Sequence, residues 1–598
     1  GVVLTVVVLF IIRLFALQIL SDDYRKNADS NAFLKKTQFP PCGLIYDRNH
    51  TLLVYNKPAY DIALIMREIR DLDTLAFCKA LNIDKQFFIQ RIAEIKDRDK
   101  NTGYSSYTPQ LFMTQLRNED IATIQQSMYK FPGFYIQNRT LREYAFPNAA
   151  HVLGSIGEVS RSKLESDPYY KQGDYAGRDG LEKTYENVLR GEKGVEILLR
   201  DAKGRIKGKY ENGKEDIAPK AGDNLMLTLD AQLQILGEKL MGGKVGSIVA
   251  IEPSTGEILA MVSNPSFNPS ILVGRQRSKN YMQLVNDPTK PLMNRATQAQ
   301  YSPGSAFKPI QALVCQQMGG ISQNTIFSCN GPSSSPIKCT HHHGSPVSLL
   351  SAIEQSCNPY FWSAFKSTVE KDGYGAKNAI FRKNYDDWVD RMKSFGLGEK
   401  YTDSDIYEQS RGYIPTQKFY NKVYRAENAW RAITIRSLSI GQGEVLVTPL
   451  QLCNSMAVIC NEGHYITPHL LRCDSMRKHI HHAKVDKKYF PIVYEGMARV
   501  FESGTARTSQ IPGLQMCGKT GTAENSHGKD HSIFVGFAPR NNPKIAIAVV
   551  VENAGFGSLY AAPIFSLMVE QYLYRKIKRT ELLNSTVAKV TNSYVKER

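Results

Sequence analysis

Tyr301-Ser302-Pro303-Gly304-Ser305-Ala306-Phe307-Lys308 is the stretch whose reading decides the fold. Its first half reads as a turn that ends where a helix begins. On that helix, residues three apart share a face, so Lys308 stands beside Ser305. Near a helix N-terminus, backbone N–H groups favour negative charge. A serine hydroxyl is a poor nucleophile at neutral pH and needs a neighbouring base. Lys308 serves as one only if burial or a nearby cation lowers its pKa. Two further motifs follow in order: Ser356-Cys357-Asn358, then Lys519-Thr520-Gly521-Thr522. Each alone recurs by chance. The ordered set implies acyl transfer on a serine nucleophile.

The residue types suggest roles. Lys519 supplies the second cation. Ser356 relays a proton between the lysines and a leaving amine, and Asn358 binds a substrate amide. The third motif reads as a strand. There Gly521 leaves room for a substrate backbone, and Thr520 and Thr522 offer hydroxyls to a carboxylate. Backbone N–H groups of Ser305 and Thr522 form an oxyanion hole.

The order of the three motifs resembles that of the penicillin-recognising serine enzymes. Further segments extend the likeness over nearly the whole chain: Gly43-Leu44-Ile45-Tyr46-Asp47-Arg48-Asn49, His151 to Gly157, Gly177 to Glu182 with Leu189-Arg190-Gly191, Asn294-Arg295-Ala296 and Ser439-Ile440-Gly441-Gln442-Gly443. Together they resemble the class B penicillin-binding proteins of the elongation type. One departure is Cys42, where relatives usually place an arginine. It puts a local ion pair in doubt.

The resemblance implies an α/β, multi-domain chain. A penicillin-binding transpeptidase fold, with an antiparallel sheet, flanking helices and an all-helical lobe, would follow an α+β pedestal and a transmembrane helix. The expected division is 1–20 anchor, 21–219 pedestal with a head insertion, 220–578 transpeptidase domain and 579–598 a polar, frayed tail. It further implies a D,D-transpeptidase that acts on peptidoglycan stem peptides from lipid-linked precursors, is inhibited by β-lactams and needs no cofactor for acyl transfer. A partner glycosyltransferase of the shape-elongation-division family and other elongation proteins are implied too. The chain would sit in the inner membrane by a single pass, its catalytic domain in the periplasm. Alternatives stay open: a division-type relative, a β-lactam-hydrolysing enzyme or a sensor.

Length and composition agree. At 598 residues, 42% hydrophobic and 10% aromatic, the chain has material for at least two cores. The net charge of +18 is dispersed, and no nucleic-acid-binding motif accompanies it. Gly1 to Leu20 is apolar apart from Thr5, Arg13 and Gln18, and a spanning helix needs about 20 such residues. With no initial Met or basic flank, the sequence is expected to start inside that anchor.

In the pedestal, Tyr60 to Met66 reads as a strand, 76–130 as two or more amphipathic helices and Gly191 to Gly213 as a hairpin. Beyond it, a helix is expected over Ala231 to Met241. Strands are expected at Val245–Glu252, Glu257–Ser263, Ser532–Ala538 and Ile545–Val551, with a last helix from about Ala562 to Lys576.

A cysteine and histidine cluster lies around the second motif: Cys329, Cys339, His341, His342, His343 and Cys357. Three thiolates and one imidazole make a structural zinc set. Some elongation-type relatives carry zinc here on a Cys, a His and carboxylates. By position Cys329 and Cys339 would replace the carboxylates and His343 would supply the imidazole, with Cys357. A Cys329–Cys339 disulfide or a solvated loop remain open. Cys315, Cys453, Cys460 and Cys517 read as core.

Overall fold

A computed structural model describes Gly1, Thr5, Val7, Val8, Phe10 and Arg13, then residues 33–591 apart from 100, 102–103, 202–205, 374–378 and 426–428. The expected anchor over 1–20 therefore falls mostly outside the described residues. Among those described, no helix is long and apolar enough to cross a membrane.

The N-terminal part is built on a long strand, β3 (Leu52–Leu64), between β2 (Ile45–Tyr46), β4 (Gln110–Leu116) and β5 (Phe134–Tyr144). β5 pairs with β3 from Val54 to Leu64, so β2 and β4 share the opposite edge. Helices α1 (Thr74–Ala80), α2 (Lys85–Lys96) and α3 (Asn118–Ser127) form the expected insertion. They pack on the far half of β3 around Phe77, Phe112, Phe131 and Phe134. The expected hairpin is β6 (Gly194–Arg200) with β7 (Ile206–Lys209), and β1 (Phe33–Gln38) adds to its open edge. Cys42 brings no charge of its own, and the buried ion pair near it is made by other residues. Arg142 on β5 binds Glu182 at 2.7 Å, both buried, and donates to the Gly43 carbonyl at 2.8 Å.

β8 (Leu225–Met226) pairs in parallel with β2. A division at 219 thus leaves this strand apart from the sheet it joins, because a two-residue strand carries too little pattern to reveal its partner.

The C-terminal part is a five-stranded antiparallel sheet in the order β10-β9-β13-β12-β11: β9 Gly246–Glu252, β10 Glu257–Asn264, β11 Cys517–Ala523, β12 His531–Ala538 and β13 Ile545–Val551. Side chains alternate across a strand, and β13 divides accordingly. Ile545, Ile547, Val549 and Val551 enter one core with helices α4 (Ala231–Met241), α9 (Phe490–Glu502) and α10 (Ala561–Tyr574). Ala546, Ala548 and Val550 face the other core. Alanines there let helix α8 (Pro449–Cys460), buried along its whole length, lie close enough for the Cys453 thiol to reach the Ala546 carbonyl at 3.2 Å. Both faces are covered, which is why β9, β10, β12 and β13 read as largely apolar runs. The segment after Lys578, expected to be frayed, instead carries helix α11 (Thr580–Ala588). Its Leu582, Leu583 and Val587 pack on the α10 side of the sheet. Those three apolar residues make the helix amphipathic.

Candidate active site

The nucleophile turn comes first. Gly304–Phe307 forms one 3-10 turn that runs into helix α5 (Lys308–Gln317), whose body is buried. Gly304 has φ +55, and a Cβ there would lie 2.4 Å from the Thr522 carbonyl oxygen. Only glycine lets the turn approach strand β11 so closely. Ser305 is half-exposed. Its N–H is among the first of the helix, which have no intrahelical partner.

Lys308 is fully buried, and its amine donates to the Ser356 carbonyl at 2.7 Å, the Ser356 hydroxyl at 3.2 Å and Asn358 Oδ1 at 2.6 Å. Burial pushes its pKa down from 10.5 to about 7, against the opposing pull of the Cys357 and Cys339 thiols. The acceptors are polar but neutral, so they orient the amine without restoring the full stability of an ammonium.

Ser356 owes its position to a helix end. Helix α6 (Leu349–Glu354) stops with Ser356 at φ +58. The Ser356 N–H bonds to the Ile353 carbonyl and the Cys357 N–H to the Ala352 carbonyl. This is a Schellman ending with serine where glycine is usual. The left-handed backbone costs a non-glycine residue on the order of 1 kcal/mol. In return, the hydroxyl and carbonyl of one residue both reach Lys308. The next helix, α7 (Asn358–Val369), starts at once and presents Asn358 from its first turn.

The third motif is β11, the sheet's edge strand. Lys519 is buried, and its amine donates to the Thr520 carbonyl at 3.2 Å. Burial, then repulsion from Lys308, push its pKa well down. Thr522 stands opposite Ser532 on β12. Its carbonyl faces outward, accepting from Gln442 Nε2 at 3.1 Å. In an antiparallel ladder the N–H and C=O of one residue point to the same side. The Thr522 N–H therefore also faces the open edge, toward the Ser305 turn.

Two expectations acquire different physical reasons. Gly521 does not open a gap. A Cβ there would lie 3.1 Å from the Pro303 carbonyl oxygen and 3.2 Å from Ala306 Cβ, so the glycine makes room for the nucleophile turn itself. Thr520 is nearly buried and shares a 2.7 Å hydrogen bond with the Thr505 hydroxyl. Thr522, half-exposed, is the more accessible of the pair.

Cys329, Cys339, His343 and Cys357 come together, with one potential ligand atom from each lying within 4.8 Å of all the others. All three cysteines are free and buried. His343 Nε2 is 3.6 Å from the Cys329 sulfur and 3.3 Å from that of Cys339, while its Nδ1 meets the Gly344 carbonyl at 3.1 Å. A ring nitrogen tied to a carbonyl fixes the other as a ligand atom. The Cys357 thiol hydrogen-bonds to Cys339, which favours a thiolate on Cys339 and holds the proton on Cys357. A compact set of three buried cysteine sulfurs and one nitrogen from the half-buried His343 fits a tetrahedral zinc ion. The cluster's loop also touches the second motif, because Asn358 Nδ2 donates to the Lys338 carbonyl at 3.0 Å. Cys315, Cys453, Cys460 and Cys517 are buried in the core.

Gln442 and Thr505 received no role from the sequence. Gln442 lies in a segment noticed only for its resemblance, and Thr505 lies in a plain Gly-Thr turn. Chain distance hid both: Gln442 acts 80 residues from Thr522 and Thr505 acts 15 from Thr520.

Comparison with known proteins agrees with this architecture. The profile of the penicillin binding protein transpeptidase domain matches residues 246–570, and that of the penicillin-binding protein dimerisation domain matches 37–227. The peptidoglycan D,D-transpeptidase MrdA of Acinetobacter baumannii is 32% identical, the alignment covering 94% of this chain and 86% of that protein. Among solved structures, Pseudomonas aeruginosa PBP2 in complex with WCK 5153 aligns at 26% identity with a TM-score of 0.65, covering 91% and 99%. The complex between PBP2 and MreC from Helicobacter pylori shares the fold at a TM-score of 0.75, with 24% identity and coverage of 90% and 99%. On the matched domains, a relative aligned over most of its length and a site assembled from the three ordered motifs, the chain belongs to the class B penicillin-binding proteins, in the branch of penicillin-binding protein 2.

Proposed function

We propose that this chain cross-links peptidoglycan as an elongation-type serine D,D-transpeptidase, with Ser305 as nucleophile and Lys308 as its base. The observation that carries the reading is the buried Lys308 amine held on Ser356 and Asn358, with its pKa brought to about 7. An amine that is substantially neutral at physiological pH is a competent base.

In this reading the Ser305 hydroxyl gives its proton to Lys308 as Oγ bonds to the penultimate D-Ala carbonyl carbon. The carbonyl electron pair moves to oxygen, between the N–H groups of Ser305 and Thr522. When the C–N bond breaks, the proton passes through the Ser356 hydroxyl to the departing D-Ala amine. An acceptor amine from a neighbouring stem then attacks the acyl-enzyme, and the same groups move the proton in reverse. Asn358 holds the stem amide. Lys519, Thr520 and Thr522 receive the terminal carboxylate. A β-lactam acylates the same serine, and its leaving group stays attached.

Zinc on Cys329, Cys339, His343 and Cys357 is proposed as a brace. When bound, it would supply structural cross-linking and no acyl-transfer chemistry. Cys357 lies between Ser356 and Asn358, so holding it fixes both neighbours.

The assignments 1–20 anchor, 21–219 pedestal, 220–578 transpeptidase domain and 579–598 tail belong to the same proposal, as do single-pass inner-membrane anchoring and a periplasmic site. Solved relatives include PBP2 with MreC and a peptidoglycan synthase complex that coordinates polymerization and crosslinking. A shape-elongation-division glycosyltransferase and other elongation-machinery proteins are accordingly the proposed partners.

Intact-mass measurement after penicillin treatment tests the core of the reading. One stable adduct on the wild type, and none on Ser305→Ala, is expected. An adduct that survives Ser305→Ala overturns the nucleophile. A Ser305→Ala variant that still forms cross-links in a reconstituted reaction overturns the enzyme assignment. Depletion in cells tests the role, with rounding expected and filaments refuting elongation.

A further inference from the structure

We propose that Gln442 is a positioning residue that sets the aim of the oxyanion hole. The proposal rests on the transpeptidase reading, since it assigns a function to the Thr522 N–H within that site.

The segment Ala432–Ile440 ends in Gly441 at φ +70. Two consecutive residues then grip the two halves of the site. The Gly441 carbonyl accepts from the Gly304 N–H at 2.9 Å, and the Gln442 side chain donates to the Thr522 carbonyl at 3.1 Å. The first contact holds the turn that presents the Ser305 N–H. The second holds the peptide edge that presents the Thr522 N–H. The clamp is stiff. The Gln442 N–H is tied to the Ser437 carbonyl at 3.0 Å, and its side chain is nearly buried. It is also close-fitting, because a Cβ on Gly441 would meet the Gly304 carbonyl oxygen at 2.4 Å.

The edge position makes the clamp necessary. β11 is the last strand of its sheet. At Thr522 the N–H and C=O both face away from β12, so no neighbouring strand fixes that edge. Holding the carbonyl from outside fixes the tilt of the strand end and therefore the aim of the N–H. Oxyanion donors act only within a narrow distance of the developing charge. A displacement of about 1 Å can lower the rate on the order of 100-fold. Gln442 does not touch the reacting atoms in this arrangement and acts through Thr522.

The test compares wild type with Gln442→Met, which keeps length and bulk and removes the donor. Penicillin acylation is followed by intact mass over a concentration series, which separates the acylation rate constant from initial affinity. Capture of a simple alkylboronic acid is measured in parallel, because its tetrahedral adduct places an oxygen in the hole. The acylation constant is expected to fall about 10- to 100-fold with boronate capture weakened to match, initial affinity within about twofold. If Gln442→Met does not fold, Gln442→Glu serves. It has the same shape with an acceptor facing the carbonyl, and at least the same loss is expected. An acylation constant within twofold of wild type, or a loss confined to initial affinity, overturns the proposal. Absence of acylation in the wild type would instead overturn the transpeptidase reading beneath it.

Discussion

Replacing Lys308 with methionine is expected to abolish acylation and to change how stability depends on pH. Lys308 is fully buried, and burial lowers its pKa from 10.5 to about 7. At about 1.4 kcal/mol per tenfold, this disfavours the buried ammonium by about 5 kcal/mol relative to the amine. The sign follows from proton counting. Between pH 7 and 10.5 the unfolded chain keeps the Lys308 proton and the folded chain has released it, so stability rises with pH. Below pH 7 the full penalty applies. Raising the pH from 7 to 9 should stabilise the wild type by about 2 kcal/mol more than Lys308→Met. The lost bonds to Ser356 and Asn358 shift the variant's stability at every pH and leave this difference intact. Urea unfolding at the two pH values measures it. The acylation rate of the wild type should climb about tenfold from pH 6 to pH 8 as the amine becomes neutral. Parallel pH–stability curves for wild type and variant would refute the reasoning, as would a rate midpoint near pH 10.

Ser356→Gly should relieve the left-handed strain at φ +58 and raise stability by about 1 kcal/mol, while slowing acylation through loss of the hydroxyl; chemical denaturation with a penicillin time course reads both, and faster acylation would contradict the relay. Gly521→Ala places a methyl 3.0 Å from Ile533 Cβ and 3.1 Å from the Pro303 carbonyl oxygen, so it should cost about 1–3 kcal/mol and push the nucleophile turn off β11; an unchanged melting temperature and rate would show that the contact is slack. Removal of zinc with a chelator should lower stability by about 4 kcal/mol when free zinc had stood about 1,000-fold above its dissociation constant, and slow acylation with it. Metal analysis, thermal melts and zinc add-back check this. A protein purified without metal and indifferent to chelator would return the cluster to a thiol role.

Much of the site was legible because its chemistry is local. Ser305 and Lys308 share a helical turn, and Ser356, Cys357 and Asn358 are consecutive, so spacing alone places them. Strands β9, β10, β12 and β13 are legible because burial on both faces leaves largely apolar runs, and helix α4 because Asp230 caps it through the Leu233 N–H. The failures have one physical source, which is meaning supplied by distant partners. Gly521 looked like an opening for substrate because its neighbours Pro303 and Ala306 lie more than 200 positions away. Thr520 reads as a hydroxyl offered to a carboxylate because nothing in its own strand reveals Thr505. The helix after Lys578 looked frayed because its three apolar residues acquire a surface only when α10 and the sheet are in place.

One consequence ties the cysteine cluster to the base. Cys357 is at once the last residue of the Schellman ending of α6, the residue before Asn358 and a member of the cluster. The serine at φ +58 is strained, and a strained residue persists only when its surroundings hold it. Three restraints act there: the two helix-end hydrogen bonds, Lys308 on the Ser356 carbonyl, and the cluster's hold on Cys357. The Asn358 side chain adds a fourth by gripping Lys338 beside Cys339. The cysteines also oppose the burial effect on Lys308 electrostatically, so their charge state bears on the base as well as on its partners. The cluster thus shapes the second motif by geometry and by charge while remaining outside the reacting atoms.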